Sequence, residues 1–200
     1  MTRTTETTAT ATTATDAGVA ATTDRGTPMS LLDGSAFFPL DARPEEIGIE
    51  TIARALSRMC RYNGQLRDDV EFYSVAQHSV WVSHHVPAKD ALCALLHDAT
   101  EAYLGDMIRP LKKAMPEFVE IEERLWGAIA TRFGLPAEMP ESVKLADNVA
   151  LATEKRDLLA KEQAISWGPL PEADAETIEA GLLPNAAYAL LMARFAELTA

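Results

Sequence analysis

The chain has 200 residues, 48% hydrophobic and 24% charged, proportions that suit a globular protein with one substantial core and exclude a fibrous or wholly disordered chain. Thirty acidic residues against eighteen lysines and arginines give a formal net charge of -12, which argues against a protein that grips polyanionic nucleic acid over a broad surface. No apolar run approaches the roughly 20 residues that span a bilayer, residues 1–27 lack the hydrophobic segment of a secretory leader, and Cys60 and Cys93 show no paired spacing, so the expectation is a cytoplasmic protein with reduced thiols.

Residues 1–28 are rich in Thr and Ala, have almost no large side chains and cannot bury enough surface to offset the entropy of ordering, so they are expected to form a disordered tail before one domain spanning 29–200. Leu31, Leu32, Phe37, Phe38 and Leu40 among Gly34, Pro39 and Pro44 predict a short extended or hairpin segment. From Ile49 the pattern turns helical: Ile52, Leu56 and Met59 form an apolar stripe, and Arg54, Arg58 and Arg61 form a cationic one at the same spacings. Asn63-Gly64 predicts a turn, followed by a loop with a short strand near residues 70–73.

Ser74 and Gln77 read as a capping box opening a helix to about His85, with His78 in its first turn. Pro87 ends that helix, and residues 91–106, ALCALLHDATEAYLGD, follow as a central helix closed by Gly105. There an apolar run leads straight into His97, Asp98 and Glu101, ionisable groups whose burial costs several kcal/mol unless something pairs with them. Beyond Pro110 and Lys112-Lys113, an amphipathic helix carries Phe118, Leu125, Ile129 and Phe133 and ends at Gly134. Another, from residue 140 or 141 to about 161, turns Val143, Ala146, Ala150, Leu151 and Leu158 inward, with Asp147 amid that stripe. A last helix, about 185–198, turns Tyr188, Leu191, Met192 and Phe195 inward. The class is all-α, with six or seven helices and a short extended segment near the start.

Four candidate metal ligands stand out, His78, His97, Asp98 and Asp147, and their mixed imidazole and carboxylate set suits a borderline divalent ion such as Mn, Co, Fe, Ni or Zn. His84 and His85 read as surface or packing residues, and Glu154 with Arg156 as a structural ion pair. In order and setting the ligands resemble the HD-domain superfamily of metal-dependent phosphohydrolases, whose signature is H…HD…D on separate helices: SVAQHS supplies the first His, LLHDATEAYLGD the pair, and KLADNVALATEKRDL the last Asp. With ALSRMCRYNG before them and MIRPLK after the pair, the motifs look like the small branch that includes YfbR-type 5'-deoxynucleotidases and DatZ-type dATP triphosphohydrolases, over about residues 35–160.

The resemblance implies an HD-domain helical fold and a phosphohydrolase that uses a divalent ion (Mn, Co, Zn or Mg) on a small deoxynucleotide. It further implies a homo-oligomer, a dimer or a hexamer. By position it implies that Glu101 steers the attacking water and that Asp106, in the GD motif, contacts substrate or water. Arg58 or Arg61 is the implied phosphate contact, a role for which guanidinium geometry is suited, and Lys112 of RPLK is a second. Tyr62 stands where the related nucleotidases carry a Trp that disfavours a 2'-hydroxyl, which weakens the expectation of strict deoxyribose selectivity. Release of phosphate from a deoxynucleoside monophosphate and attack on a triphosphate are both open. So are a catalytically idle nucleotide-binding module and a cyclic-nucleotide phosphodiesterase.

Overall fold

Eight α-helices, three short 3-10 helices and one two-stranded sheet make up the regular structure among the residues that the computed structural model describes, 24–162, 164 and 166–200. The all-α class with a short extended segment is therefore the observed one. The expected tail at residues 1–23 lies outside the described residues. The remainder of that stretch is tied down, because Arg25 forms ion pairs with Asp41 and with Glu46, the latter at 2.7 Å.

The hairpin pairs β1 (Met29–Ser30) antiparallel with β2 (Ala36–Phe37), with Met29 opposite Phe37 and Ser30 opposite Ala36. It places Phe37 in the core, stacked on Tyr103 at 4.3 Å between ring centroids. No strand forms over 70–73; one isolated bridge, Cys60 to Ser74, follows just after it.

Helix α1 is Ile49–Leu56, α2 is Val75–His84, α3 is Ala91–Leu95 and α4 is Glu101–Leu104. The rest are α5 (Arg109–Lys112), α6 (Pro116–Phe133), α7 (Glu141–Asp157) and α8 (Pro184–Thr199). The count exceeds seven because the central helix does not run through: α3 ends at Leu95, residues 96–100 form turns, and α4 resumes at Glu101. Gly105, at φ 85°, ends α4 with its N–H on the Glu101 carbonyl, as its sequence position implied. The predicted arginine stripe is also broken, since α1 stops at Leu56 and leaves Arg58 and Arg61 beyond its end.

The molecule is built around α2, which packs against α1, α3, α7 and α8. Its capping box is formed: the Ser74 hydroxyl accepts the Gln77 N–H at 3.1 Å, and the Gln77 amide oxygen accepts the Ser74 N–H at 3.3 Å. Eight of its ten residues are buried, so α2 lacks a solvent face, and a polar side chain on it must find its partners inside. Ile52, Leu56, Val75, Val80, Leu95, Leu96, Leu125, Ile129 and Leu191 form the main core, joining α2 to α1, α3, α6 and α8. Val82, Cys93, Val143, Ala146 and Ala150 form a second cluster, which seats α7 on the other side of α2. These packings bring the first turn of α2, the turn after α3 and the middle of α7 to one place.

Candidate metal centre

His78 on α2 is fully buried. Its Nδ1–H donates to Oε1 of Glu154 at 2.6 Å, so its Nε2 is the atom aimed inward. His97, in the turn between α3 and α4, donates Nδ1–H to the Ala94 carbonyl at 2.7 Å, which likewise leaves Nε2 as its ligand atom. The irregular turn is what permits this, because a continued helix would claim that carbonyl for a backbone N–H.

The two Nε2 atoms stand 3.3 Å apart. Asp147 Oδ1 is 3.2 Å from His78 Nε2 and 4.0 Å from His97 Nε2. Asp98 Oδ2 is 3.6 Å from the former, and Asp98 Oδ1 is 3.3 Å from the latter. Two ligands on one ion with bonds of about 2.1 Å lie about 3.0 Å apart at right angles and about 4.2 Å apart when opposite, so every one of these spacings fits a shared ion. His78, His97 and Asp147 form the tightest set, each with a ligand atom within 4.8 Å of the others, and this cluster could hold a metal ion. Asp98 stands next to it, beside His97, and lies outside that set.

Without a cation the surplus of carboxylate draws a proton. Burial and the Arg61 guanidinium lower the affinity of His78 for that proton, but Glu154 and Asp147 outweigh them and raise its pKa to about 9. Burial alone would raise the pKa of Asp147; its bond and charge contact with His78 bring it below the ordinary carboxylate range instead. The space between the ligands thus takes either a proton on His78 Nε2 or a cation.

Glu154 and Arg109 are two positions bonded to the cluster that sequence reasoning missed. Glu154 is fully buried, which is rare for a glutamate without a partner. Beyond His78 it accepts Nε–H and Nη2–H of Arg61, both at 3.2 Å, and the hydroxyl of Tyr62. Burial would raise its pKa, yet Arg61 and His78 hold it down at about 2. The expected pair with Arg156 does not form: that guanidinium binds Asp157 and the carbonyls of Asp174 and Glu176. Arg109 donates to Asp147 Oδ2 at 3.0 Å, which occupies the outer oxygen and leaves Oδ1 for the centre. Glu154 lies seven residues after Asp147, on the same face of α7, and that spacing was a usable signal. Nothing local marks Arg109.

Arg61 and Tyr62 are therefore at the cluster, bound to Glu154, with Arg61 Nη1 also 3.5 Å from Asp98 Oδ2. Their placement uses strained backbone, since Tyr62 at φ 57° and Asn63 at φ 52° are consecutive non-glycine residues in the left-handed region. Pairing of residues 59–61 with 73–75, through Arg61 N–H on the Tyr73 carbonyl at 2.9 Å and Val75 N–H on the Met59 carbonyl at 3.0 Å, anchors that turn beside α2. Arg54 is not at the site; it lies over the Tyr188 ring, 3.6 Å from its centroid, on α8. Arg58 is exposed just past α1, outside the bonded cluster.

Glu101 lies in the field of Asp98 and Asp106, and its Oε2 is buried without a hydrogen-bond partner. Burial first, and then those two like charges, raise its pKa well above the ordinary value. Asp106 is raised as well, again mainly by burial. A cleft of about 630 Å³ opens beside His97 and Asp98. Thr100, Lys112, Glu122, Glu123 and Trp126 wall it, with Lys112 ion-paired to Glu122.

Fold and site together define an all-α protein with a buried His/Asp cluster that could hold a metal ion. No family model matches the chain. It is 40% identical over 169 residues to the uncharacterized protein YfdR of Escherichia coli, covering 83% of this chain and 92% of that protein. It is 39% identical over 146 residues to an uncharacterized protein of Rhodobacter capsulatus, covering 67% and 74%. The chain belongs to the family of YfdR. Among the described residues no helix is long and apolar enough to cross a membrane.

Proposed function

We propose that the chain is a metal-dependent phosphohydrolase of the HD-domain type that releases phosphate from a deoxynucleoside monophosphate in the cytoplasm. The observation that carries this reading is the convergence of His78, His97 and Asp147 at spacings suited to one ion, with Asp98 beside them, in the chain order H…HD…D. A divalent ion such as Mn, Co, Zn or Mg, when bound, supplies a lowered water pKa and polarisation of a phosphoryl oxygen. Glu154 and the Ala94 carbonyl hold the two imidazoles in the tautomers that coordination requires.

Glu101 brings a carboxylate with a free, buried oxygen to the edge of the cluster, suited to take the proton of the attacking water. Asp106 lies beside it. The contact of Arg61 Nη1 with Asp98 is the longest in its network and is the one that a phosphate can replace. Lys112 reaches the same region from the cleft wall. A monophosphate is favoured over a triphosphate because the wall carries Asp98, Glu122, Glu123 and Glu138 against Lys112 and Lys144, while Lys113 is exposed and not part of it.

The test is turnover of a panel of dNMPs, NMPs and dNTPs with Mn, Co, Mg or Zn, beside an Asp98→Ala control. The expected result is phosphate release from a dNMP and a loss of roughly 100-fold or more in the control. No hydrolysis of any nucleotide, or an equally active Asp98→Ala protein, refutes the reading. Preferential attack on a dNTP replaces the monophosphate with the triphosphate reaction.

A further inference from the structure

We propose a second divalent-metal site, formed by His85, Asp174 and Glu176, where the end of α2 meets the loop that precedes α8. It uses none of the groups assigned above to hydrolysis. His85 follows the last residue of α2, and its ring stacks on Trp81 with centroids 3.6 Å apart. Its Nδ1–H donates to the Trp81 carbonyl at 2.7 Å, so the neutral ring keeps its lone pair on Nε2. That Nε2 faces Asp174 Oδ2 at 3.8 Å. The gap is too long for a hydrogen bond, yet it falls within the roughly 3.0–4.2 Å that separates two ligands of one ion. Glu176 adds a second carboxylate, and the three ligand atoms lie within 4.8 Å of one another.

The cation next to this cluster hydrogen-bonds neither of its carboxylates. Arg156 grips Asp157 through Nε at 2.7 Å and Nη2 at 2.8 Å, and spends its other contacts on the main-chain carbonyls of Asp174, at 2.6 Å, and Glu176, at 2.9 Å. It thereby fixes the loop through its main chain, while its charge also acts on Asp174. Asp174 Oδ1 accepts the Glu176 N–H at 2.8 Å, and the Asp174 N–H donates to Thr153 Oγ1 on α7 at 2.9 Å. One neutral imidazole and two carboxylates are thus held ready from a helix end and an anchored loop. That donor set suits zinc and neighbouring borderline ions. His85 is seven residues from His78, about 10 Å along α2, so the sites are separate, and an ion at the second would staple the loop to the helix.

The probe is Zn²⁺ alone, with bound metal counted on the full chain after equilibrium dialysis. The chain has four histidines, so His84, His85 and the two of the central site cover every imidazole. The wild type should retain two ions, His85→Gln one, Asp174→Asn one and His97→Ala one, while His84→Gln, an exposed neighbour, should retain two. In the His97→Ala background Zn²⁺ should still raise Tm and protect the loop from proteolysis, and adding His85→Gln should abolish both effects. A count that His85→Gln leaves unchanged from the wild type, or an equal loss from His84→Gln, overturns the proposal. The central site can fail in this assay, through an unchanged count in His97→Ala, while the second stands, and the reverse also holds.

Discussion

Glu154 receives four hydrogen bonds from three side chains, two from Arg61 and one each from Tyr62 and His78. Glu154→Gln keeps its volume but removes the charge and turns an N–H₂ toward groups that are themselves donors. Arg61 is left with Asp98 as its remaining carboxylate, and weakening such a buried pair costs about 3 kcal/mol. The expected outcome is that loss in urea denaturation, together with a 10–100-fold fall in central-site Zn²⁺ affinity. A chelator-competition titration in the His85→Gln background reads that affinity, and an unchanged value would remove Glu154 from the role of orienting His78. His78, His97, Asp98 and Asp147 were legible as candidate ligands because each is an ionisable group set in an apolar stretch. Glu154 was misread because its neighbour Arg156 offered a nearer cation in sequence than Arg61 does.

The elements show where period and capping suffice and where they do not. Apolar spacing identified the buried faces of α7 and α8, including Val143, Ala150 and Leu191, and the Ser74/Gln77 pair identified the start of α2. Because His78 sits one position after Gln77, that cap also sets the depth at which the imidazole enters the core. Ser74→Ala should therefore cost about 1 kcal/mol, or about 2–4 °C in Tm by calorimetry, and weaken Zn²⁺ binding at the central site. Unaltered Tm would show that the capping box does not hold this end of α2. The break between α3 and α4 was not legible, since ALCALLHDATEAYL has good helix formers throughout. It is a tertiary outcome in which the Ala94 carbonyl bonds to the His97 ring and the ladder is interrupted.

At the scale of the whole molecule, the buried site gathers ionisable groups whose charges depend on one another. Glu154 and His78 are two of the groups that shape the pH profile of the metal-free protein. The pKa of Glu154 falls from 4.5 to about 2 on folding, so its contribution is present above pH 4.5 and lost as pH falls toward 2. The pKa of His78 rises from 6.5 to about 9, so its contribution is complete below pH 6.5 and lost as pH rises through 9. Thermal unfolding in EDTA should show both contributions intact between about pH 4.5 and 6.5, with a decline toward pH 9. Saturating Zn²⁺ should abolish the alkaline decline, because a coordinated His78 no longer needs the proton. A Tm in EDTA that stays flat from pH 6.5 to 9 would contradict the proton-or-metal exchange at His78.

By itself the sequence determined the all-α class, the buried faces of the long helices, the capped start of α2 and the identity and order of four candidate ligands. All of these rest on period, capping and side-chain chemistry, which act over a few residues. Only the tertiary structure decided which groups meet across long separations: Arg61 with Glu154 across 93 positions, and Arg109 with Asp147 across 38. It also decided that the His97-Asp98 pair occupies a turn rather than a helix. Such contacts are chosen by how buried charges find partners once the helices have packed, and no local pattern records that choice.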